Sequence, residues 1–176
     1  MIENSEQDGD VCFSGAHIEM REVDGWEYVT RVGARGVVGV IAVTRENMLV
    51  LVEQFRPPLS ARVLELPAGL VGDDREESFE DAARRELLEE TGFEAETIED
   101  LFVGPSSAGL TDEMVRIVRA GGLRRIHAGG GVSGESIVVH EVPIRQLDDF
   151  LGRFETTHGL IDFKVRLALH LVKGRS

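Results

Sequence analysis

The amino-acid sequence predicts one domain of the mixed α/β or α+β class, in which strands are followed by a helix, further strands and more helix. Two runs of β-branched or aliphatic residues, GVVGVIAV and MLVLVEQF, are joined by TREN and are typical of central strands connected by a hairpin. The segment from Phe79 to about Thr91 is rich in Ala, Leu, Arg and Glu, which favours a helix. With 176 residues, 42% of them hydrophobic, the chain is long enough to bury a core.

The first predicted strands follow a polar N-terminus. Residues 1–15 are polar and contain glycine, which predicts a flexible tail, and residues 16–176 are predicted to form the single domain. HIEMREV and WEYVTR alternate on either side of Asp24-Gly25, a strong signal for a two-residue hairpin. We therefore expect an antiparallel strand pair at about residues 16–32.

The predicted helix carries its own start and stop signals. Ser78 is a suitable N-cap, and Asp81 stands three residues later in the capping-box position. Gly92 stands where a C-cap glycine is expected. Before the helix, VLELPAG predicts a short strand ended by Pro67 and Gly69. After it we expect three strands and two helices, in ETIEDLFVG, EMVRIVRA and ESIVVHEVP and near residues 145–152 and 161–173.

Composition and charge exclude several classes of partner. The net charge of −13 argues against non-specific binding to nucleic acid or to anionic membranes, because both are polyanions. The acidic N-terminus is not typical of a signal peptide, and no apolar run approaches the ~20 residues that span a bilayer. Cys12 is the one cysteine and cannot form an internal disulfide, which favours a reducing compartment. We therefore expect a cytoplasmic protein, and the acidic charge does not exclude a small phosphate ligand that is held through a metal.

The segment RRELLEETGF, residues 84–93, gathers negative charge at the end of the predicted helix. Glu86, Glu89 and Glu90 lie three or four positions apart or adjacent, so all three can project to one side. Like charges at helical spacing destabilise an isolated helix by about 0.2–0.5 kcal/mol per pair, and the helix dipole disfavours them in the last turn. Glu77 adds a fourth carboxylate. The segment is either a solvated charged face or a site where a hard dication such as Mg²⁺ relieves the repulsion.

The wider pattern E-x7-R-E-L-L-E-E-T-G-F, from Glu77 to Phe93, resembles the Nudix box. One departure lies upstream, where Gly69 stands eight residues before Glu77 rather than six; we interpret this as a two-residue loop insertion. The flanking segments LVLVEQFRPP, LELPAGL, GPSSAGLTDE, GESIVVHEVP and HGLIDFKVRLAL are similar to the ADP-ribose pyrophosphatase branch of the family. The resemblance covers the chain from about Gly25 to Val172.

The resemblance implies a Nudix fold, an α/β/α sandwich with a mixed central sheet. It also implies hydrolysis of the pyrophosphate bond of ADP-ribose, or of a close nucleoside diphosphate sugar, to AMP and ribose 5-phosphate. The cofactors it implies are two or three Mg²⁺ (or Mn²⁺) ions. Glu86 and Glu90 match the two principal metal ligands, Glu89 matches a third ligand or a residue that holds a ligating water, and the carbonyl of Ala68 matches a backbone ligand.

Two further residues receive catalytic roles from the resemblance. Arg85 matches the box arginine, whose expected task is to pair with a box glutamate such as Glu77 and so orient the carboxylates. Glu135 matches the glutamate of a mobile loop that is proposed as the general base. Spacing alone would make Glu135 an exposed residue at the start of a strand.

Three residues are candidates for substrate binding. Arg56 matches an arginine that contacts the substrate phosphates or terminal ribose, and is otherwise a surface arginine at a strand end. Trp26 is the one tryptophan; it either stacks on adenine, a contact of about 1–3 kcal/mol, or lies in the core or a dimer interface. Glu113 either orients substrate or metal or simply begins a strand.

The resemblance leaves the substrate and the assembly open. Ala108 holds the position where the branch usually has a proline, so another nucleoside diphosphate sugar such as GDP-mannose is an alternative substrate. Two rival activities are the hydrolysis of dinucleoside polyphosphates or nucleoside triphosphates by a Nudix enzyme, and nucleotide binding by a non-catalytic regulator. Branch members are generally homodimers, so we expect residues 16–32 to contribute to a dimer interface with Trp26 nearby.

Overall fold

A computed structural model describes residues 9–72, 76–132, 136–157 and 159–174 of the chain. Within these ranges thirteen strands and three α-helices are formed, with short 3-10 turns at Pro57–Leu59 and Ile144–Gln146. The strands are β1 (Asp10–Ser14), β2 (Ile18–Val23), β3 (Trp26–Arg31), β4 (Val37–Val43), β5 (Met48–Arg56), β6 (Ala61–Glu65), β7 (Ala68–Leu70), β8 (Phe93–Glu94), β9 (Thr97–Pro105), β10 (Met114–Gly121), β11 (Arg124–Arg125), β12 (Val138–Pro143) and β13 (Gly159–Ile161). The helices are α1 (Phe79–Thr91), α2 (Leu147–Thr157) and α3 (Phe163–Lys173).

The N-terminal strands form a separate antiparallel sheet in the order β1-β2-β3. Asp24 and Gly25 both have positive φ, of 52° and 81°, as a two-residue hairpin of this hand requires, so the predicted hairpin is confirmed. The sheet has three strands rather than the predicted pair, because Asp10–Ser14 pairs with β2 instead of remaining a tail. Residues 1–8 lie outside the described ranges. The backbone amide of Val29 donates to the carbonyl of Leu110 at 2.8 Å, which attaches this sheet to the rest of the domain.

The second sheet has eight strands and is mixed. Its main order is β13-β6-β5-β4-β10-β9, while β12 pairs with β5 and β7 pairs with β4. The pairs β10 with β4 and β13 with β6 are parallel, and the other pairs are antiparallel. β4 and β5 each contain five consecutive buried residues, which agrees with the apolar runs that predicted them as central strands.

Helices cover both faces of the mixed sheet. On one face α1 contributes Ala82, Ala83 and Leu87 to a core that includes side chains of β4. On the other face α2 and α3 pack on side chains of β5, β6 and β10, with Leu151 and Val165 among the buried residues. The predicted α/β/α sandwich with a mixed central sheet is therefore confirmed. None of the helices in the described ranges is long and apolar enough to cross a membrane.

The ends of α1 follow the local signals in the sequence. The Ser78 hydroxyl accepts a hydrogen bond from the backbone amide of Asp81 at 3.1 Å and donates to the Asp81 carboxylate at 2.7 Å. Gly92 has φ of 74° and its amide donates to the carbonyl of Leu88 at 2.8 Å, which closes the helix with a left-handed residue. These two caps fix which residues of the RRELLEETGF segment lie in the last turns of α1.

Candidate active site

A cavity of about 590 Å³ lies where α1, the start of α3 and five strands of the mixed sheet (β4, β5, β6, β7 and β10) approach one another. Its wall mixes acidic and basic side chains. The acidic residues are Glu65, Glu86, Glu90, Glu113 and Asp162, and the basic residues are Arg31, Arg56 and Lys164. Five carboxylates and three cations around one cavity can hold a ligand with several negative charges when a cation neutralises the acidic side.

Glu86 reaches this cavity because β7 passes close to α1. Gly69 of β7 lies against the Glu86 side chain, and a Cβ atom at that position would overlap the carboxylate. Only glycine therefore allows the carboxylate to lie against the strand. Both residues line the cavity, so Gly69 shapes a cradle in which the Glu86 oxygens face the backbone of β7.

Glu90 is held one turn further along α1, where the residue is only 5% exposed. Its Oε2 atom accepts a hydrogen bond from the backbone amide of Ala68 at 3.0 Å. A buried carboxylate requires such a partner, because desolvation otherwise disfavours its charged form. The structure thus brings Glu90 together with Ala68, the residue whose carbonyl the sequence analysis assigned as a backbone metal ligand.

Arg85 connects the carboxylates of the segment. Its guanidinium donates to both Glu77 oxygens, at 2.7 and 3.2 Å, to Glu86 Oε1 at 2.7 Å and to the carbonyl of Leu70 at 3.2 Å. A longer contact of 3.4 Å joins it to Glu89. The bonds to Glu77, followed by those to Glu86, raise the pKa of Arg85 above its ordinary value although partial burial opposes this. One guanidinium therefore orients three acidic side chains and links them to β7.

The oxygen atoms of Glu86, Glu90 and Ala68 suit a hard divalent cation by their chemistry, since Mg²⁺ and Mn²⁺ prefer carboxylate, carbonyl and water oxygens. The Gly69 cradle leaves room for the Glu86 carboxylate beside this backbone. Among the described residues, no three acidic, histidine or cysteine side chains are already assembled as a metal site. Arg85 supplies the positive charge next to Glu86 in this structure. The donor set fits a dication, and binding it requires the carboxylates to converge.

The loop between β7 and α1 is held on both flanks by one residue. The backbone amide of Arg35 donates to the carbonyl of Val71 at 2.8 Å, and the amide of Val71 donates to the carbonyl of Gly36 at 3.0 Å. The Arg35 guanidinium also donates to the carbonyl of Glu77. Residues 73–75, in the middle of the LVGDDRE loop to which the two-residue insertion was assigned, lie outside the described ranges. The described flanks are thus connected independently of them.

Arg56 also lines the cavity, at the end of β5. It makes a two-pronged ion pair with Glu65, with distances of 3.0 and 2.6 Å, and Gln54 donates to the same carboxylate at 2.9 Å. The bonds to Glu65 raise the pKa of Arg56 above its ordinary value, against the effect of partial burial, and the charges of Glu90 and Asp162 add to this. The fork geometry fixes a cation on the cavity wall.

Glu113 also lines the cavity, immediately before β10, and is paired with Arg31 from the end of β3. The N-terminal sheet therefore contributes a cation to the cavity. Arg31 was not among the predicted site residues, because it lies far from the box in the sequence and nothing local indicates its ion pair with Glu113.

Asp162 and Lys164 were missed as well, although they belong to the quoted segment HGLIDFKVRLAL. The Asp162 carboxylate accepts from the Lys164 backbone amide at 2.7 Å, as the N-cap of α3, and pairs with the Lys164 side chain at 2.6 Å. An aspartate two residues before a lysine at a predicted helix start was the available signal.

Of the predicted site residues that the structure describes, Trp26, Glu89 and Arg85 do not line this cavity. Trp26 is 61% exposed on β3 and does not line it. Glu89 contacts Arg85 but is likewise not part of the wall. Glu135, the predicted general base, lies outside the described residues, so its role stays a prediction.

The NUDIX domain family model matches residues 33–147, which is more than half of the chain. The chain therefore belongs to the NUDIX domain family, whose members generally use a divalent metal. The match includes the whole segment from Glu77 to Phe93 and its flanking strands.

Several individual proteins are similar to this chain in sequence. The chain is 40% identical over 103 residues to the methanol dehydrogenase activator of Bacillus methanolicus, covering 58% of this chain and 55% of that protein. It is 40% identical over 85 residues to the ADP-ribose pyrophosphatase of Bacillus subtilis, covering 48% and 45% respectively. It is 32% identical over 124 residues to the GDP-mannose pyrophosphatase of Escherichia coli, covering 66% and 63%. The matches thus span about half to two thirds of these curated relatives.

A solved structure supports the fold over nearly the whole chain. A crystal structure of an ADP compounds hydrolase superposes with a TM-score of 0.70 at 21% sequence identity, covering 94% of this chain and 89% of that one. At this level of identity the similarity establishes the architecture.

Proposed function

We propose that the protein hydrolyses the pyrophosphate bond of a nucleoside diphosphate sugar, with ADP-ribose as the first candidate. The observation that carries this proposal is the composition of one cavity of about 590 Å³, which is lined by Glu86, Glu90 and Ala68 together with Arg56. Water adds to one phosphorus atom and the bridging oxygen leaves with the other phosphate. From ADP-ribose the products are AMP and ribose 5-phosphate, with release of protons.

The acidic side of the cavity is the proposed cation site. Glu86, Glu90 and the carbonyl of Ala68 would hold Mg²⁺ or Mn²⁺, with Glu89 as a further ligand or as the residue that holds a ligating water. Two or three such ions supply charge neutralisation for the pyrophosphate and lower the pKa of bound water. Arg85 positions the carboxylates through its bonds to Glu77 and Glu86.

The basic side of the cavity is the proposed site for the phosphates and the sugar. Arg56 and Lys164 lie on this wall, each oriented by a carboxylate, and Arg31 approaches from the N-terminal sheet with Glu113. Cations that are already oriented lose less side-chain entropy when a phosphate binds. Glu135 is proposed as the general base that accepts the proton of the attacking water.

Two sugar nucleotides remain as candidates for the substrate. The similarity to an ADP-ribose pyrophosphatase supports ADP-ribose, and the similarity to a GDP-mannose pyrophosphatase supports GDP-mannose. Ala108, in place of the proline typical of the ADP-ribose branch, is the sequence feature that keeps the second candidate open.

A homodimer is proposed on the basis of the N-terminal sheet. Phe13 and Trp26 are 63% and 61% exposed, and Val11, Ile18 and Met20 on the same sheet are also exposed. The register places Phe13, Ile18 and Met20 on one face of the sheet and Val11 and Trp26 on the other, so each face exposes apolar side chains of the kind that mark interaction surfaces. A partner chain packed here could bring Trp26 toward a nucleobase, consistent with the interface predicted at residues 16–32. A cytoplasmic location is proposed from the single cysteine, Cys12.

A product assay tests the function. The protein is incubated with Mg²⁺ and, separately, ADP-ribose, GDP-mannose, UDP-glucose, diadenosine polyphosphates and NADH, and the products are identified. We expect AMP and ribose 5-phosphate from ADP-ribose. Turnover of GDP-mannose alone would replace the substrate, and absence of turnover with every compound would remove the hydrolase proposal in favour of a nucleotide-binding regulator.

A matched pair of variants tests the site. Glu90→Gln removes a negative charge while keeping a group that can accept the bond from Ala68, so it should abolish metal-dependent hydrolysis and keep the fold. Glu80→Gln, on the exposed side of α1, is the control and should retain activity. Circular dichroism checks the fold of both variants. Full activity in Glu90→Gln would show that the ligand assignment is wrong.

A further inference from the structure

A glycine-rich segment lies across the C-terminal end of α1. We call residues 126–131 the glycine strap. The backbone amide of Gly130 donates to the carbonyl of Glu90 at 2.8 Å, and the amide of Gly131 donates to the carbonyl of Glu89 at 3.1 Å. The last carbonyls of a helix have no partner within the helix, so the strap supplies donors that α1 itself lacks.

The strap is also attached beyond the last residue of α1. The carbonyl of Gly92 accepts a hydrogen bond from the amide of Ile126 at 2.8 Å and a longer one from His127 at 3.4 Å. The strap therefore holds the backbone at Glu89, at Glu90 and at the capping glycine. These are bonds between main-chain atoms, so they fix the position of the helix end whatever the side chains do.

Glycine is required for this close approach. Gly129, Gly130 and Gly131 have φ values of 75°, 117° and 83°, a region that other residues rarely adopt. A Cβ atom on Gly129 would lie 2.5 Å from the carbonyl carbon of Thr91 and 2.6 Å from the carbonyl oxygen of Glu90. On the helix side, a Cβ atom on Gly92 would overlap the carbonyl of His127. Each surface fits the other only because both lack side chains.

The turn held by the strap is the turn that carries the acidic residues of the cavity. The Glu90 carboxylate is bonded to Ala68 on β7, while the Glu90 carbonyl is bonded to Gly130 on the strap. Glu90 is therefore attached to β7 through its side chain and to the strap through its main chain. A displacement of the strap shifts the main chain of this last turn and so changes where the Glu86 and Glu90 carboxylates lie. Most of the remaining cavity wall comes from strands and from the N-terminal end of α3. The hydrogen bonds of the strap described above do not reach these parts of the wall.

We infer that Gly129 is a positioning residue for the metal-binding carboxylates, and that the strap and cation binding are thermodynamically linked. This inference rests on the proposed function, because it takes Glu86 and Glu90 as ligands. If the strap places the ligands for a cation, then a bound cation must stabilise the bonds of the strap by the same coupling free energy. An ordinary helix cap stabilises its helix, whereas the strap is expected both to favour cation binding and to be stabilised by the bound cation.

The first experiment measures binding of Mn²⁺ alone, without substrate, from the electron paramagnetic resonance signal of the free ion. Gly129→Ala should weaken Mn²⁺ binding by about 10-fold or more, the usual effect of disturbing residues that orient metal ligands. Gly33→Ala is the matched control, because Gly33 has φ of 80° and nothing within 4 Å of its added Cβ atom. The control carries the same backbone strain away from α1 and should bind Mn²⁺ like the wild type.

A second variant covers the case in which Gly129→Ala does not fold. Gly130→Ala adds a Cβ atom whose nearest neighbour, the carbonyl of Ile137, is 3.9 Å away, so only the backbone conformation is strained. It should weaken Mn²⁺ binding in the same direction. Hydrogen exchange of the wild type gives a readout without mutation: the amides of Gly130 and Gly131 should exchange more slowly in Mg²⁺ than in chelator.

The outcomes separate the two proposals. Failure of the wild type to bind Mn²⁺ would remove the cation site and with it the proposed function. Wild-type binding together with unchanged affinity in folded Gly129→Ala or Gly130→Ala would overturn the positioning role alone. Unchanged exchange of the two strap amides in Mg²⁺ would equally overturn the linkage.

Discussion

Two clusters of charged residues differ in the ratio of acidic to basic groups. In the cluster around Arg85, one guanidinium contacts Glu77, Glu86 and Glu89. In the cluster around Glu53, one carboxylate is bonded to two partners. It accepts from the Arg62 guanidinium and lies 2.8 Å from His140, whose ring packs against Phe150 and Phe154.

The difference teaches how a cation site can be distinguished from a structural ion pair. Glu53 is 6% exposed and its bonds satisfy it within the protein, as buried charges require. The acidic groups around Arg85 outnumber the guanidinium that links them, and one of them, Glu86, lines a cavity together with Glu90. An excess of oriented carboxylates beside a cavity predicts a bound cation. A carboxylate such as Glu53, whose partners are all supplied by the protein, predicts instead a contribution to the stability of the fold.

Among changes that test this comparison of the two clusters, the largest effect should come from Arg85→Lys. Lysine keeps the charge but loses the planar fork that contacts Glu77 and Glu86 together, so the carboxylates lose their common orientation. We expect hydrolysis to fall by about 100-fold, near the upper end for residues that orient metal ligands. Steady-state rates at saturating and limiting Mg²⁺ measure this. Unaltered rates at both metal concentrations would mean that Arg85 does not organise the site.

A smaller effect, on stability, should follow from Glu53→Gln. Burial raises the pKa of Glu53, but the bonds from His140 and Arg62 lower it, and the net result is a pKa below the ordinary value. Loss of the charge-assisted bonds should lower the free energy of unfolding by about 2 kcal/mol at neutral pH. Urea unfolding measures this, and the rate of hydrolysis per folded molecule should not change.

The pH dependence of this variant has a definite sign. Because the pKa of Glu53 is lower in the folded state, its ion pair stabilises the protein above the ordinary carboxyl pKa of about 4.3 and ceases to do so as the pH falls through the lower folded value. The stability difference between wild type and Glu53→Gln should therefore be full at pH 7 and shrink in acid. A constant difference down to low pH would contradict the assignment.

The smallest effect should come from Ser78→Ala at the other end of α1. The change removes the bond to the Asp81 amide and should cost about 1 kcal/mol of unfolding free energy. The acidic residues near the C-terminal end are held by Arg85, β7 and the glycine strap, so Mn²⁺ affinity should remain that of the wild type. A parallel fall in Mn²⁺ affinity would show that helix stability in general, rather than the contacts at one end, sets the site.

Local patterns predicted those parts of the molecule that depend on local structure. The caps of α1, the hairpin at Asp24-Gly25 and the central strands follow from short segments, and the structure confirms them. β13 was missed because its three residues form a strand only by pairing with β6, far away in the sequence.

The residues of the site also differ in whether a local segment predicts them. Glu86 and Glu90 were predicted from one helical segment and reach the cavity. Arg31 and Lys164 were not predicted, since their approach depends on how the N-terminal sheet and α3 pack on the sandwich. Trp26 lies outside the cavity of a single chain, so its proposed role depends on a partner chain that sequence patterns do not specify.

The contacts of Arg35 have a consequence for how the chain tolerates change. Arg35 bonds to Val71 on one flank of the loop before α1 and to Glu77 on the other, while Arg85 joins Glu77 to Leu70. The distance between β7 and the box glutamates is therefore set by these cross-links and not by the number of residues in the loop that joins β7 to α1. We therefore expect that a short epitope or fluorophore attachment sequence inserted in this loop leaves the register of the acidic residues on α1 unchanged.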